Sequence, residues 1–274
     1  MKIKYKDPNI LHRTHTKYTI WGFVFLIFIS FYNFNENLYL SPTSELIVCF
    51  FLILTFGISH GAFDHEKGKK LLKIYKIKNI SIFYFIYIAL GILTSALWFF
   101  FPSFILIIFL IIASYHFGKE DCIYPGADNN FLYILKGSII VLAPLIFHFE
   151  KTINIFKKLY LEKNILENTL IYLNENNFFV FFLLISFLSN FLISKIKRVW
   201  VEYFLEFFMI LVINILFHPI IAFTIYFCFL HSIRHSISLV LNINGGFKTF
   251  FKKTLPLTIV TSVIFIISVY FLKN

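Results

Sequence analysis

I-S-I-F-Y-F-I-Y-I-A-L-G-I-L-T-S-A-L-W-F-F (residues 80–100) decides the fold. After Phe101-Pro102 it is followed by S-F-I-L-I-I-F-L-I-I-A-S-Y-H-F-G (103–118). No charged side chain falls between Lys78 and Lys119. A helix crosses a bilayer with about 20 mostly apolar residues, and ~17 suffice. Each stretch is therefore a candidate span, and the proline between them marks the turn. The same ruler applied outward predicts roughly nine spans: 19–35, 44–63, 80–100, 103–118, 131–149, 177–194, 201–217, 219–241 and 254–272. The first and seventh are the weakest, so the expected architecture is all-α, a polytopic transmembrane bundle of eight to nine spans. Ser41-Pro42, Pro125-Gly126, His218-Pro219 and Gly245-Gly246 punctuate the remaining breaks.

Composition excludes the alternatives. Of 274 residues, 59% are hydrophobic and only 14% charged, with a mean hydropathy of +0.80. A soluble domain carries about 25% charged residues, and disorder needs few apolar residues and many charges. The chain reads as one membrane domain over 1–274, in which 1–43 forms an N-terminal arm and first span. No small-residue cleavage site follows the first apolar run, so that run is expected to stay as an anchor. The mixed-charge stretch 150–176 is expected to hold a short surface helix. Cys49, Cys122 and Cys228 have neither disulfide-type nor zinc-type spacing.

The net charge of +11 belongs to topology and not to nucleic acid. With the N-terminus inside, eighteen of the 25 Lys and Arg residues fall in inner segments and five in outer ones. That excess of basic residues predicts a cytoplasmic N-terminus in the cell (inner) membrane.

Under this topology the second, fourth and eighth spans all run inward, and each carries histidine in its inner half or at its inner end. The second ends in G-I-S-H-G-A-F-D-H, with His60, Asp64 and His65. The fourth ends in S-Y-H-F-G-K-E-D, with His116, Glu120 and Asp121. The eighth contains H-S-I-R-H, with His231 and His235. His148 and His218 lie at outer ends, and His12 and His15 fall in the N-terminal arm. Imidazole suits iron, copper, zinc and nickel. His231 and His235, four apart, project from one helical face, and His60 and His116 would complete a four-nitrogen shell. His60 and Asp64 share a face while His65 is rotated away, which favours His60 as ligand and Asp64 as the acceptor that orients an imidazole. His65 stays open as a substitute ligand. Arg234 is read as a snorkelling or carboxylate-paired group, with Glu120, Asp121 or Asp64 as partner. Gly57, Gly61 and Gly118 suit close helix packing, and Tyr115, Phe117, Tyr226, Phe227 and Phe229 read as core.

G-I-S-H-G-A-F-D-H, A-S-Y-H-F-G-x-E-D and H-S-I-R-H, in this order on a multi-span chain, resemble the Brp/Blh family of carotene-cleaving membrane enzymes. The resemblance implies a β-carotene 15,15'-dioxygenase, in which non-haem Fe(2+) and O₂ split β-carotene into two all-trans-retinal molecules. Its iron-binding histidines would fall on His60, His116, His231 and His235. It also implies β-carotene and O₂ as substrates, surrounding lipid, and an opsin-type protein as an indirect consumer of retinal. It does not account for the N-terminal helix. Other readings are a di-iron lipid hydroxylase or desaturase, a bis-His haem carrier, and a transporter. The first of these expects adjacent His-His pairs, and the last expects repeated halves; the sequence has neither.

Overall fold

A computed structural model describes residues 8–36, 42–122, 129–159, 166–196, 200–242 and 246–273, with side chains at 11–29, 43–57, 61–122, 129–159, 166–192, 204–241 and 246–271. All regular structure among them is helical. In chain order the helices are α1 (Pro8–Glu36), α2 (Pro42–Gly61), α3 (Asp64–Ile74), α4 (Ile80–Phe100), α5 (Pro102–Cys122), α6 (Asn130–Gly137), α7 (Ile139–Phe147), α8 (Phe149–Lys158) and α9 (Leu166–Glu175). They continue with α10 (Phe178–Ile196), α11 (Trp200–Leu216), α12 (Pro219–Ile225), a π-helical stretch (Tyr226–His231), α13 (Ser232–Asn242) and α14 (Gly246–Lys273).

The sequence signals set these limits. Asn79 caps α4 by accepting the Ser81 amide at 2.9 Å, and Asn129 caps α6 by accepting that of Phe131 at 2.8 Å. Prolines open α2, α5 and α12, where the missing N–H is harmless. Five helices or helix pairs are long and apolar enough to cross a bilayer: 80–100, 102–122, 130–147, 219–241 and 246–271. A sixth arises if 166–175 and 178–192, bent by 67°, count as one. Thr43–Gly57 and Phe204–Leu216 are apolar but shorter. The described helices thus meet the length test in fewer places than the nine expected segments. The run 166–192 is divided by the 67° bend, and the described parts of α2 and α11, 43–57 and 204–216, are shorter than 18 residues.

Other elements differ in extent. The last helix begins at Gly246 and not near 254. The stretch 150–176 supplies two short helices, α8 and α9. The first helix starts at Pro8, so His12 and His15 belong to a packed helix and not to a free arm.

Burial sorts the helices. α4 buries no residue, and α14 buries almost none. Both present apolar side chains outward, as a lipid-facing helix does. The core lies among α5, α7, α11 and the π-helical stretch, where Ile139, Ala143, Ile213, Tyr226 and Leu230 are fully covered. α5 and α6 touch backbone to backbone: a Cβ on Gly118 would overlap the Tyr133 carbonyl, and one on Gly137 would overlap that of Ser114. Gly118 therefore serves close packing, as its position predicts.

Candidate metal centre

α5 and the π-helix/α13 segment bring three of the predicted histidines together. The His116 ring lies 5.1 Å from that of His231 and 6.2 Å from that of His235, centroid to centroid. His231 and His235 are 6.3 Å apart with their planes 13° from parallel, as side chains four residues apart on one face should be. His231 is fully buried and His235 nearly so, whereas His116 sits at an open edge. Phe117 closes on His231 edge-on at 4.7 Å, and Phe227 stacks on it at 5.9 Å. Their apolar rings limit water around that imidazole. His60 belongs to the last turn of α2, and its side chain lies outside the described residues. That end of α2 packs beside the π-helical stretch, with Phe227 next to Gly57.

Consecutive acids at the end of α5 do different work, because adjacent helical residues diverge by about 100°. Glu120 Oε1 stands 2.9 Å from His235 Nδ1, so the neutral ring donates from Nδ1 and keeps Nε2 as its basic nitrogen. Asp121 faces the interior instead. It accepts from Arg234 Nη1 at 2.8 Å and from the Tyr226 hydroxyl at 2.8 Å. Arg234 also donates to Glu206 at 2.6 Å and to the Thr16 hydroxyl at 3.0 Å. Lys136 reaches Glu206 at 3.3 Å. Asp121, Glu206, Arg234 and Lys136 are each no more than 2% exposed. Two cations and two anions thus cancel where an uncompensated charge would be very costly.

Arg234 is therefore paired and does not snorkel. Of its three expected partners Asp121 takes it, Glu120 turns to His235, and Asp64 accepts from Tyr87 at 3.1 Å. His65 is held by Tyr84 through a 2.7 Å hydrogen bond to Nδ1. Sequence reasoning missed Glu206, although a carboxylate inside an apolar helix was the signal that could have found it. It also missed Thr16 and the buried His12 on α1, and the π-helical stretch, a feature often found at functional sites.

The donor set suits a borderline transition metal. Imidazoles bind iron, zinc or copper, and a carboxylate on the far nitrogen of a ligand histidine is a recurrent support for such sites. Among the described residues, however, no three His, Cys, Asp or Glu side chains stand close enough to share an ion.

The fold and site define a membrane-type helical bundle with a histidine cluster braced by buried charge. A model of the beta-carotene 15,15'-dioxygenase family matches residues 51–274, and the chain belongs to that family. Over 192 residues it is 29% identical to a protein named beta-carotene 15,15'-dioxygenase from an uncultured marine bacterium (66A03), covering 67% of this chain. The match covers 66% of that relative's length, just under two thirds. No solved structure matches the chain. The family match begins at residue 51 and leaves α1 wholly outside it.

Proposed function

We propose that the protein is a non-haem iron dioxygenase of the inner cell membrane, its N-terminus cytoplasmic, that splits the central 15,15' double bond of β-carotene with O₂ into two molecules of all-trans-retinal. The observation that carries this reading is the meeting of His116, His231 and His235 in a chain of this family. His60, His116, His231 and His235 would hold Fe(II), with His65 as the alternative to His60. When bound, the iron supplies O₂ activation beside the polyene.

The residues of the chain then have definite tasks. Glu120 holds Nδ1 of His235 and so leaves Nε2 as the nitrogen that would bind the metal. The pairing of Arg234 with Asp121 ties α13 to α5 and so keeps His231 and His235 in register with His116. Phe117 and Phe227 exclude water. Both oxygen atoms end in product, so the reaction needs no external reductant and no positioned acid or base. A hydrocarbon substrate dissolves in the bilayer, which suits a catalyst whose outer helices face lipid. Retinal would pass to an opsin-type acceptor. Family membership favours this reading over the desaturase, haem-carrier and transporter alternatives.

Expression in carotene-making bacterial cells tests it. Loss of orange pigment with appearance of retinal is expected. Unchanged pigment in cells that contain the folded protein would defeat the proposal.

A further inference from the structure

The far end of the bundle holds a cavity the dioxygenase reading does not use. His231 follows His218 by thirteen positions, about 20 Å of helix at ~1.5 Å per residue. Around His218 lies a cleft of about 510 Å³, within the range of small-molecule sites. One wall is α8. Its residues Lys151, Asn154, Ile155 and Lys158, with Leu159 just beyond its end, line the cleft, and their spacing makes them a single helical stripe. The opposite side of α8, with Thr152, Ile153 and Phe156, is buried in the core. Leu46, Cys49 and Phe50 of α2 form the facing wall, and Ile220 and Ile221 of α12 form the floor.

Charge in the cleft is unequally shared. Lys157, on the neighbouring face of α8, is bound to Glu167 at 2.8 Å. Lys151 and Lys158 make no ion pair among the described residues. Glu45 is the one acid lining the cleft. His218 is held below its ordinary pKa by burial and then by the charge of Lys151, and it accepts the Ile220 amide on Nδ1. At neutral pH the cleft thus carries one net positive charge above an apolar wall.

From this arrangement we propose that the cleft between α8, α2 and α12 binds one membrane phospholipid. Lys151 and Lys158 hold its phosphodiester, and the wall of Leu46, Phe50, Ile155 and Ile220 takes the upper acyl chain. Both lysines have long stems that can lie along apolar surface while the ammonium reaches a phosphate. A free anion would have no use for the apolar wall, and an acyl chain alone would have no use for the cations. The cleft lies where α2 and α12 begin, after the apolar helix α7 has ended, and so at the level where lipid headgroups lie. The assignment does not depend on the chemistry at the histidines.

The full chain, extracted in mild detergent and washed free of lipid, is titrated with dioleoylphosphatidylglycerol and read by native mass spectrometry. One tightly held lipid is expected. The double variant Lys151→Glu/Lys158→Glu should bind it at least about tenfold more weakly, given the attraction of basic residues for anionic headgroups. Lys157→Glu should bind as the wild type does. Millimolar inorganic phosphate should not displace the lipid. Equal binding by the double variant overturns the proposal, and so does displacement by phosphate, which would make the cleft an anion site only. If the double variant fails to fold, Ile155→Trp fills the apolar wall with the charges intact. It should weaken binding to a similar degree, and unchanged binding is again fatal to the assignment.

Discussion

Glu120 and Asp121 are neighbours in the chain and part company in space, and the candidate centre depends on that divergence. Glu120 serves a histidine, while Asp121 serves the arginine between two histidines. Replacing Glu120 by Ala leaves His235 free to rotate and to change tautomer. Losing such a support typically costs 10–100-fold in metal affinity, and iron analysis of the purified variant against wild type should show a loss in that range. The rings should matter more. His116→Ala, His231→Ala and His235→Ala, and by the same proposal His60→Ala, are each expected to abolish retinal formation and to lower bound iron sharply. His148→Ala, at the other end of the bundle, should retain activity. Were His148→Ala as damaging as the others, the centre would have been placed at the wrong end.

Helices act through their faces, and the contact of α5 with α6 brings their backbones closest together among the described residues. Gly118 and Gly137 lie where each opposing backbone leaves no room for a methyl group. Gly118→Ala or Gly137→Ala must push α5 and α6 apart and so shift His116 on α5. Overpacking of this kind costs about 1–3 kcal/mol and sometimes more. A drop in thermal midpoint in detergent, with Gly57→Ala as a mild comparison, checks this: a Cβ there meets only the Phe227 ring at 3.7 Å. The small-residue spacing around Gly57 and Gly118 was visible in the sequence, but which glycine bears the contact was not. That depends on the partner helix.

Across the whole molecule, the buried charges join elements that are remote in sequence. Thr16 of α1, Asp121 of α5, Lys136 of α6, Glu206 of α11 and Arg234 of α13 form one connected group. Removing one partner leaves buried charge uncompensated, at a cost of about 3–5 kcal/mol. Glu206→Ala, which leaves the buried cations Arg234 and Lys136 with Asp121 as the one carboxylate of the group, should therefore fall in that range by denaturation and lose activity by loosening α13. A variant as stable as wild type would show that water or lipid headgroups reach the site. α1 lies wholly outside the family match, yet it contributes Thr16 to this group and buries His12 beside it. The N-terminal helix is thus part of the packed unit.

Local chemistry determined the class of this protein. Apolar runs of bilayer length fix helices because lipid offers no partner to an open backbone group. The placement of His116, Glu120, Asp121, His231, Arg234 and His235 in the inner half or at the inner end of their spans was legible for the same reason: each helix has a known rise and turn. Tertiary structure alone decided who meets whom. That Arg234 chooses Asp121 and Glu206, that Asp64 and His65 turn to tyrosines of α4, and that α1 closes over the core are outcomes of packing between distant segments. The sequence holds no local record of them, because a charge in the interior is satisfied by whichever opposite group the fold brings within reach.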